Sequence, residues 1–258
     1  MTFQLDVAKT YVSSINLDGT PRGVIAQSAA TEASEVFEQA KTQAQVVGSG
    51  VFSFAQGVDA AMREAISDSA LLAQLVANKR SDFHKQPLEW FKIYGEVLEN
   101  VGWTLQENGW TEYPVSGTGV EVNEQIVAVM TAILAPAAGA LSIITATVNA
   151  LKAMNPGSSW FTIFNRESQK AQIARFQIGL VEQKEGGGVF VTLLACLVEA
   201  ENTITQVLFF KFTSSSAKFS ANNSSVSINR AALTDLGPSI RTKVRAYQAD
   251  YLGSIKDI

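Results

Sequence analysis

The run Val189 to Val198 (VFVTLLACLV) constrains the chain most, because apart from Thr192 it is apolar at odd and even positions alike. A strand with one wetted face alternates, and one that is apolar on both faces has to be covered on both. It sits in the longer segment Gly188 to Ala200, between two others of strand length and composition, Ala171 to Val181 and Ile204 to Thr213. Gly186-Gly187-Gly188 and Glu201-Asn202 provide turns between them. An antiparallel meander roofed by helices on each side is the expected result.

The first half of the chain supplies helices. Ala33, Val36, Phe37, Ala40, Ala44 and Val47 recur at helical steps, with Glu32 and Glu35 in the first turn, where the dipole favours acids. Gly48-Ser49-Gly50 interrupts, and Val58, Ala61, Met62, Ala65 and Ile66 restart the spacing as far as about Ala77. Pro87 suits the first position of a third helix, which Phe91, Tyr94, Leu98 and Val101 carry to Gly102. Gln125 to Leu151 holds no charge and exceeds the roughly 20 residues of a membrane span. Pro136 and Gly139 divide it into 126–135 and 140–154, each too short to cross a bilayer, so a buried helical pair is expected.

The remaining elements are shorter. Phe3, Leu5 and Val7 alternate with Gln4, Asp6 and Ala8, which reads as a half-buried strand. Trp103 to Tyr113 contains Asn108-Gly109, a turn dipeptide, and reads as two short strands of a hairpin. Asn155-Pro156-Gly157 is a stop, Ser214 to Ser227 reads as an exposed turn with a short edge strand, and a last helix is expected from Pro238 to Leu252. The class is therefore α+β: a three-layer α/β/α sandwich with a mainly antiparallel sheet flanked by helix pairs on both faces. One domain is expected over 1–258, helix-rich over 25–155, strand-rich over 158–230, with the C-terminal helix at 238–252.

Composition narrows the function. Twenty Lys plus Arg against 24 Asp plus Glu give a net charge of −4, which offers no positive field to a phosphate backbone, so nucleic acid is not an expected partner. One cysteine, Cys196, and one histidine, His84, are too few for a disulfide or a Cys/His zinc site. Neither a nucleophile with its base nor a carboxylate pair is marked by a motif, and Gly117-Thr118-Gly119 lacks the lysine of a phosphate loop, so the chain is expected to be no enzyme. His84, after Asp82-Phe83, reads as solvated or capping, and the four tryptophans, Trp90, Trp103, Trp110 and Trp160, as core or bilayer-interface residues. Residues 1–14 show no basic region or apolar run of a signal peptide, so a cytoplasmic location in the producing cell is expected.

Cys196 has two readings. Free cysteine is often a small buried hydrophobe, and a thiol in so apolar a strand is a poor nucleophile. The alternative is a thioester-linked fatty chain, each of whose methylenes gains about 0.8 kcal/mol on burial. The three strand runs, in turn, are near the roughly 9 to 11 residues of a membrane barrel stave.

From Trp160 (WFTIFNRES) through GGGVFVTLLACLVEAENTITQVLFFKFTSSSAKFSANNSSVSINRAAL, and most of all in Gln206-Val207-Leu208-Phe209-Phe210, the sequence resembles the Cyt-type cytolytic δ-endotoxins. The resemblance covers about Val122 to Leu233. The segment Pro87 to Tyr113 (PLEWFKIYGEVLENVGWTLQENGWTEY) is more similar to the Erwinia virulence factor family, a bacterial group associated with colonising insect guts. The toxin resemblance implies an α/β/α sandwich whose outer helices peel away at a phospholipid membrane, so that the strands oligomerise into a pore without a protein receptor. Phe176, Ile178, Leu180, Phe190, Leu194, Leu208, Phe209 and Phe210 are the residues expected to meet the membrane. The virulence-factor resemblance implies a fatty acyl group, palmitate-like, on a core cysteine, which here is Cys196; no other cofactor is expected.

Overall fold

The chain lays an eight-stranded mixed sheet between two helical layers. The structure, a computed structural model, describes residues 3–20, 37–115, 119–134, 138–153, 159–212 and 217–255. Helix α1 (Leu5–Ser14) precedes the hairpin β1 (Gln43–Val47) and β2 (Gly50–Phe54), and the long α2 (Ala60–Arg80) and α3 (Pro87–Asn100) follow. Strand β3 (Trp103–Tyr113) leads to the helices α4 (Val122–Leu134), α5 (Ala138–Ala153) and α6 (Ser159–Ser168). Then come β4 (Gln169–Lys170), β5 (Ile173–Gln183), β6 (Val189–Glu199) and β7 (Lys218–Ile228), and the chain closes with α7 (Arg230–Val244), α8 (Gln248–Tyr251) and β8 (Leu252–Ile255). The strand order is β3-β7-β6-β5-β2-β1-β8, antiparallel except where β2 meets β5, with β4 paired to β5 off this path.

Two hydrophobic cores lie on opposite faces of this sheet. On one face, α1, α2, α3 and α7 pack against Phe52, Val181, Val191, Leu193 and Val226. On the other, α4, α5 and α6 pack against Val51, Phe176, Ile178, Leu194 and Cys196. β6 feeds both, Val191 and Leu193 to the first and Leu194, Cys196 and Val198 to the second, which is why its sequence shows no alternation. The expected class, α+β with helices on both faces of a mostly antiparallel sheet, is the one found.

Several local expectations are corrected. Residues 3–8 belong to no strand: Leu5–Ser14 is helical and buries Ala8 and Val12, a four-residue step that the alternation of Phe3, Leu5 and Val7 masked. The helix expected from Thr31 to Val47 falls partly outside the described residues, and from Gln43 onward the chain is strand β1, folded back on β2 through Gly48-Ser49. Gly48 has a φ of 52° there, and a Cβ on it would collide with Gln74 Oε1. Trp103 to Tyr113 is one strand and no hairpin, with Asn108-Gly109 forming a bulge between Glu107 and Trp110 against β7. WFTIFNRES is helical, not part of the strand-rich half. The stop at Asn155-Pro156-Gly157 and the divider Pro136 lie outside the described residues.

The third expected strand is also misplaced. Residues 204–212 form turns and a single bridge, Glu121 to Lys211, while they bury Ile204, Val207, Leu208 and Phe212. Their carbonyls serve the start of α4, with Asn123 N–H donating to Leu208 O at 3.1 Å and Val122 N–H to Phe210 O at 3.1 Å. The third long strand of the meander is instead the Ser/Asn-rich β7, expected as a turn and short edge but paired along both sides, to β6 and β3. The last helix starts at Arg230, not Pro238, and contains that proline.

One close approach inside the sheet yields a prediction. Phe52 faces Gly179 across the β2–β5 pair, and a Cβ on Gly179 would lie 2.6 Å from Phe52 Cδ1. Gly179→Ala is expected to cost about 1 to 3 kcal/mol through this overpacking. It should lower the urea midpoint with an unchanged m-value. An unchanged midpoint would show that the ring yields freely.

Candidate functional site

The residues singled out from the sequence gather mostly on the α4–α6 face. Along β5 the even positions Phe176, Ile178 and Leu180 point there, and from β6 so do Leu194 and Cys196. The register sets Phe176 opposite Cys196 and Ile178 opposite Leu194. Leu208 joins them from the 204–212 segment, with Phe209 and Phe210 half-buried around it; the Phe209 ring lies 5.7 Å from Phe161 and the Phe210 ring 5.9 Å from Phe212. Phe190 does not join them. It is 38% exposed at the start of β6, with Lys184 Nζ 4.7 Å from its ring centroid.

Cys196 is wholly buried, with Phe176 across on β5 and Ala221 across on β7. Burial pushes its thiol pKa well above the ordinary value, so the sulfur is no nucleophile in this state.

What covers this face is the α4–α5 hairpin. Ile126, Val129 and Met130 of α4 and Ile144, Val148 and Leu151 of α5 seal the strands. The outward positions Ala128, Thr131, Ala132, Ser142, Ala146 and Asn149 are exposed, small and uncharged. Among the described residues of the two helices only Glu124 and Lys152 carry charge, both at the end of the hairpin away from its turn. An apolar inner face with an uncharged outer one is unusual for a surface element, which normally turns charge to water.

Polar ties hold the hairpin down at two places. Ser53 Oγ of β2 and Thr147 Oγ1 of α5 are 2.8 Å apart, both buried, and Thr147 donates onward to Ile143 O at 2.9 Å. At the base, Glu121 accepts from Asn123 Nδ2 at 2.8 Å and pairs with Lys152 at 3.6 Å and Lys211 at 3.9 Å. The Asn123 hydrogen bond, then the two lysine charges, hold the Glu121 carboxyl below the usual carboxylate range against a desolvation that opposes them. No helix among the described residues is long and apolar enough to cross a membrane.

Sequence reasoning missed the polar groups buried on the other face. Arg175 projects from β5 among Ser49, Asn78, Phe83 and Trp90, and Ser49, Gln74 and Gln177 line the same stripe. In the run IARFQIGL the alternation of Arg175 and Gln177 with apolar neighbours reads as a wetted face. Only the placement of α2 and α3 reveals that this face is dry.

No protein-family model matches the chain, and no curated protein matches it either. Among solved structures, the fold is similar to one described as a delta-endotoxin, at 16% identity and a TM-score of 0.41, with 87% of this chain and 96% of that one covered. It is also similar to the structure of the Evf virulence factor, at 11% identity and a TM-score of 0.36, with 94% and 89% covered. Likenesses at this level concern the arrangement of elements alone.

Proposed function

We propose that the protein is a bacterial cytolytic or virulence protein that acts at host membranes, by parting the α4–α5 cover from the β5–β7 meander. One observation carries the reading: three consecutive antiparallel strands of 11 residues each lie beneath a helical hairpin whose outer face carries charge only at its base, on Glu124 and Lys152. Strands of about 9 to 11 residues suffice to cross a bilayer, and only a closed assembly satisfies their edges there, so the acting form is a homo-oligomer. On this reading the protein is no enzyme and leaves the producing cell before it acts.

The base of the hairpin gives the proposal a pH dependence. A carboxyl held low, as Glu121 is, contributes stability above its ordinary pKa and loses it as pH falls through the lowered value. Acid therefore loosens the tie to Lys152 and Lys211. Vesicles of phosphatidylcholine, with and without an anionic lipid, are expected to release a trapped dye, faster below pH 4 than at pH 7. No release at either pH or after limited proteolysis removes the reading.

A second reading keeps the sandwich closed, with a palmitate-like acyl chain on Cys196 and lipid binding in place of pore formation. It is favoured by the position of Cys196, buried beside the small Ala221 in the core beneath the hairpin. Intact mass of the natively produced protein tests it: a fatty-acyl excess removed by hydroxylamine and absent in Cys196→Ser supports it, and an unmodified mass excludes it.

A further inference from the structure

The sheet ends at β3 on one side and at β8 on the other. β8 is four residues long and lies beside α6. β3 runs for 11 residues, and among the described residues its backbone is hydrogen-bonded to β7 alone. Alternate N–H and C=O groups along its outer edge are therefore unpaired, which makes a template for a further strand. Proteins blunt such an edge by shortness, by a covering element, by a bulge or by charge. β3 is long and, on that side, paired with nothing; it carries the bulge at Asn108-Gly109 and two acids, Glu107 and Glu112, with no lysine, arginine or proline.

The register with β7 sorts the side chains of this edge into two rows. Leu105, Glu107, Trp110 and Glu112 stand opposite Val226, Ser224, Asn222 and Ser220 on the α3 side, the bulge keeping Glu107 and Trp110 in the same row. This row alternates apolar with acidic, and Leu105 and Trp110 in it are only half-buried. The other row, Thr104, Gln106, Thr111 and Tyr113, is uncharged. α3, β3 and β7 together carry five glutamates, Glu89, Glu96, Glu99, Glu107 and Glu112, against two lysines, Lys92 at 3.7 Å from Glu89 and Lys218 at 3.6 Å from Glu112. A second copy paired edge to edge would lay this acidic row on its own glutamates, so the charge repels self-association and attracts a basic strand.

We infer that the outer edge of β3 takes an extended, basic segment of another polypeptide as a further strand. Its backbone completes the β3 ladder, and its side chains on the α3 side follow the pattern basic, apolar, basic, apolar against Glu112, Trp110, Glu107 and Leu105 when it runs antiparallel. Main-chain hydrogen bonds supply affinity for any extended chain, and the alternating row selects among sequences. The surface is built by β3 and α3 and needs no parting of the α4–α5 hairpin.

Fluorescence anisotropy of the labelled peptide Lys-Thr-Val-Thr-Lys-Thr-Val with the intact protein tests this directly. Saturable one-to-one binding is expected, weaker by about ten-fold for the same peptide with glutamate in place of lysine. Glu107→Lys/Glu112→Lys, at two exposed positions, should reverse that order while the melting temperature holds. Two further peptides, N-methylated at odd or at even positions, separate a ladder from adhesion by charge: only the one whose methyl groups face β3 should lose binding. Equal affinity of the two methylated peptides, or no saturation of the parent peptide up to millimolar concentration, overturns the inference. So does sedimentation of the protein alone as a dimer that the peptide fails to dissociate, which would put a second copy on the edge.

Discussion

Arg63→Met should cost on the order of 4 kcal/mol, a large part of the stability of a domain. Arg63 lies in the first turns of α2 with no exposed surface, and its guanidinium knots three chain segments together. Nε donates to Val58 O at 2.8 Å, Nη1 to Gln43 Oε1 at 2.9 Å, and Nη2 to Lys41 O at 2.7 Å and Ala55 O at 3.0 Å. These fix the entry to β1, the exit of β2 and the turn into α2 at once. The Phe54 ring, 5.7 Å from Cζ, adds a cation–π contact.

Methionine has the reach but no donor, and it leaves the Val58 carbonyl buried without its charged partner. Stranding buried acceptors costs about 1 to 3 kcal/mol each, whereas an exposed arginine would cost little. Thermal unfolding should fall by roughly 10 °C. A fall of only a degree or two would mean that water replaces the guanidinium and that the knot is not structural.

Arg175→Met is expected to do the reverse, raising stability by about 1 to 4 kcal/mol. Arg175 is fully buried at the centre of the sheet, with Cζ 3.5 Å from the Trp90 ring centroid and 4.2 Å from that of Phe83. Burial pushes its pKa down to about 9, so it is still a cation at neutral pH. Among the described residues no carboxylate stands within ion-pair distance; Glu167, whose charge it feels, is engaged by Arg166 at 2.7 Å. Its partners are neutral oxygens, Ser49 Oγ and Asn78 Oδ1, and its Nε has none.

Removing this guanidinium strands little. Asn78 Oδ1 keeps the Trp90 Nε1 donor at 2.7 Å, and Ser49 still donates to Gln74 at 3.1 Å. A thioether sits well between two aromatic rings. The contrast with Arg63 is one of acceptors: Arg63 serves three backbone carbonyls besides Gln43 Oε1, Arg175 side-chain oxygens that have other partners. A destabilised Arg175→Met would show that the ring sandwich outweighs the desolvation.

How much of this was legible in the sequence depended on what sets each element. β6 was readable because two covered faces leave a pattern that no single-faced strand shares, and α2, α3 and the α4–α5 pair were readable from their helical spacing, Gly102 and Pro136. The 204–212 segment misled because burial of Val207, Leu208 and Phe212 does not require a ladder; its backbone is satisfied by the start of α4 and by Asn165, whose Oδ1 accepts from Val207 N–H at 2.9 Å. β7 misled the other way, since pairing on both edges outweighs the poor strand propensity of Asn and Ser. Of the residues singled out, Phe176, Ile178, Leu180 and Leu194 were legible as apolar positions on strands that the structure retains, whereas Leu208 to Phe210 were assigned to a strand that does not form. Arg175 was not legible, because its meaning lies in what α2 and α3 place opposite it.

The central claim is that the α4–α5 hairpin leaves the sheet when the protein meets a bilayer, and a reversible lock tests it most directly. Ser53→Cys with Thr147→Cys joins β2 to α5 where the native hydroxyls are 2.8 Å apart, close enough for a disulfide after small adjustment. Dye release from phosphatidylcholine vesicles, measured on this variant before and after reduction, should be absent in the oxidised protein and return with dithiothreitol. Equal release from the oxidised and reduced forms would contradict the account, because the strands would then reach the membrane without parting from their cover.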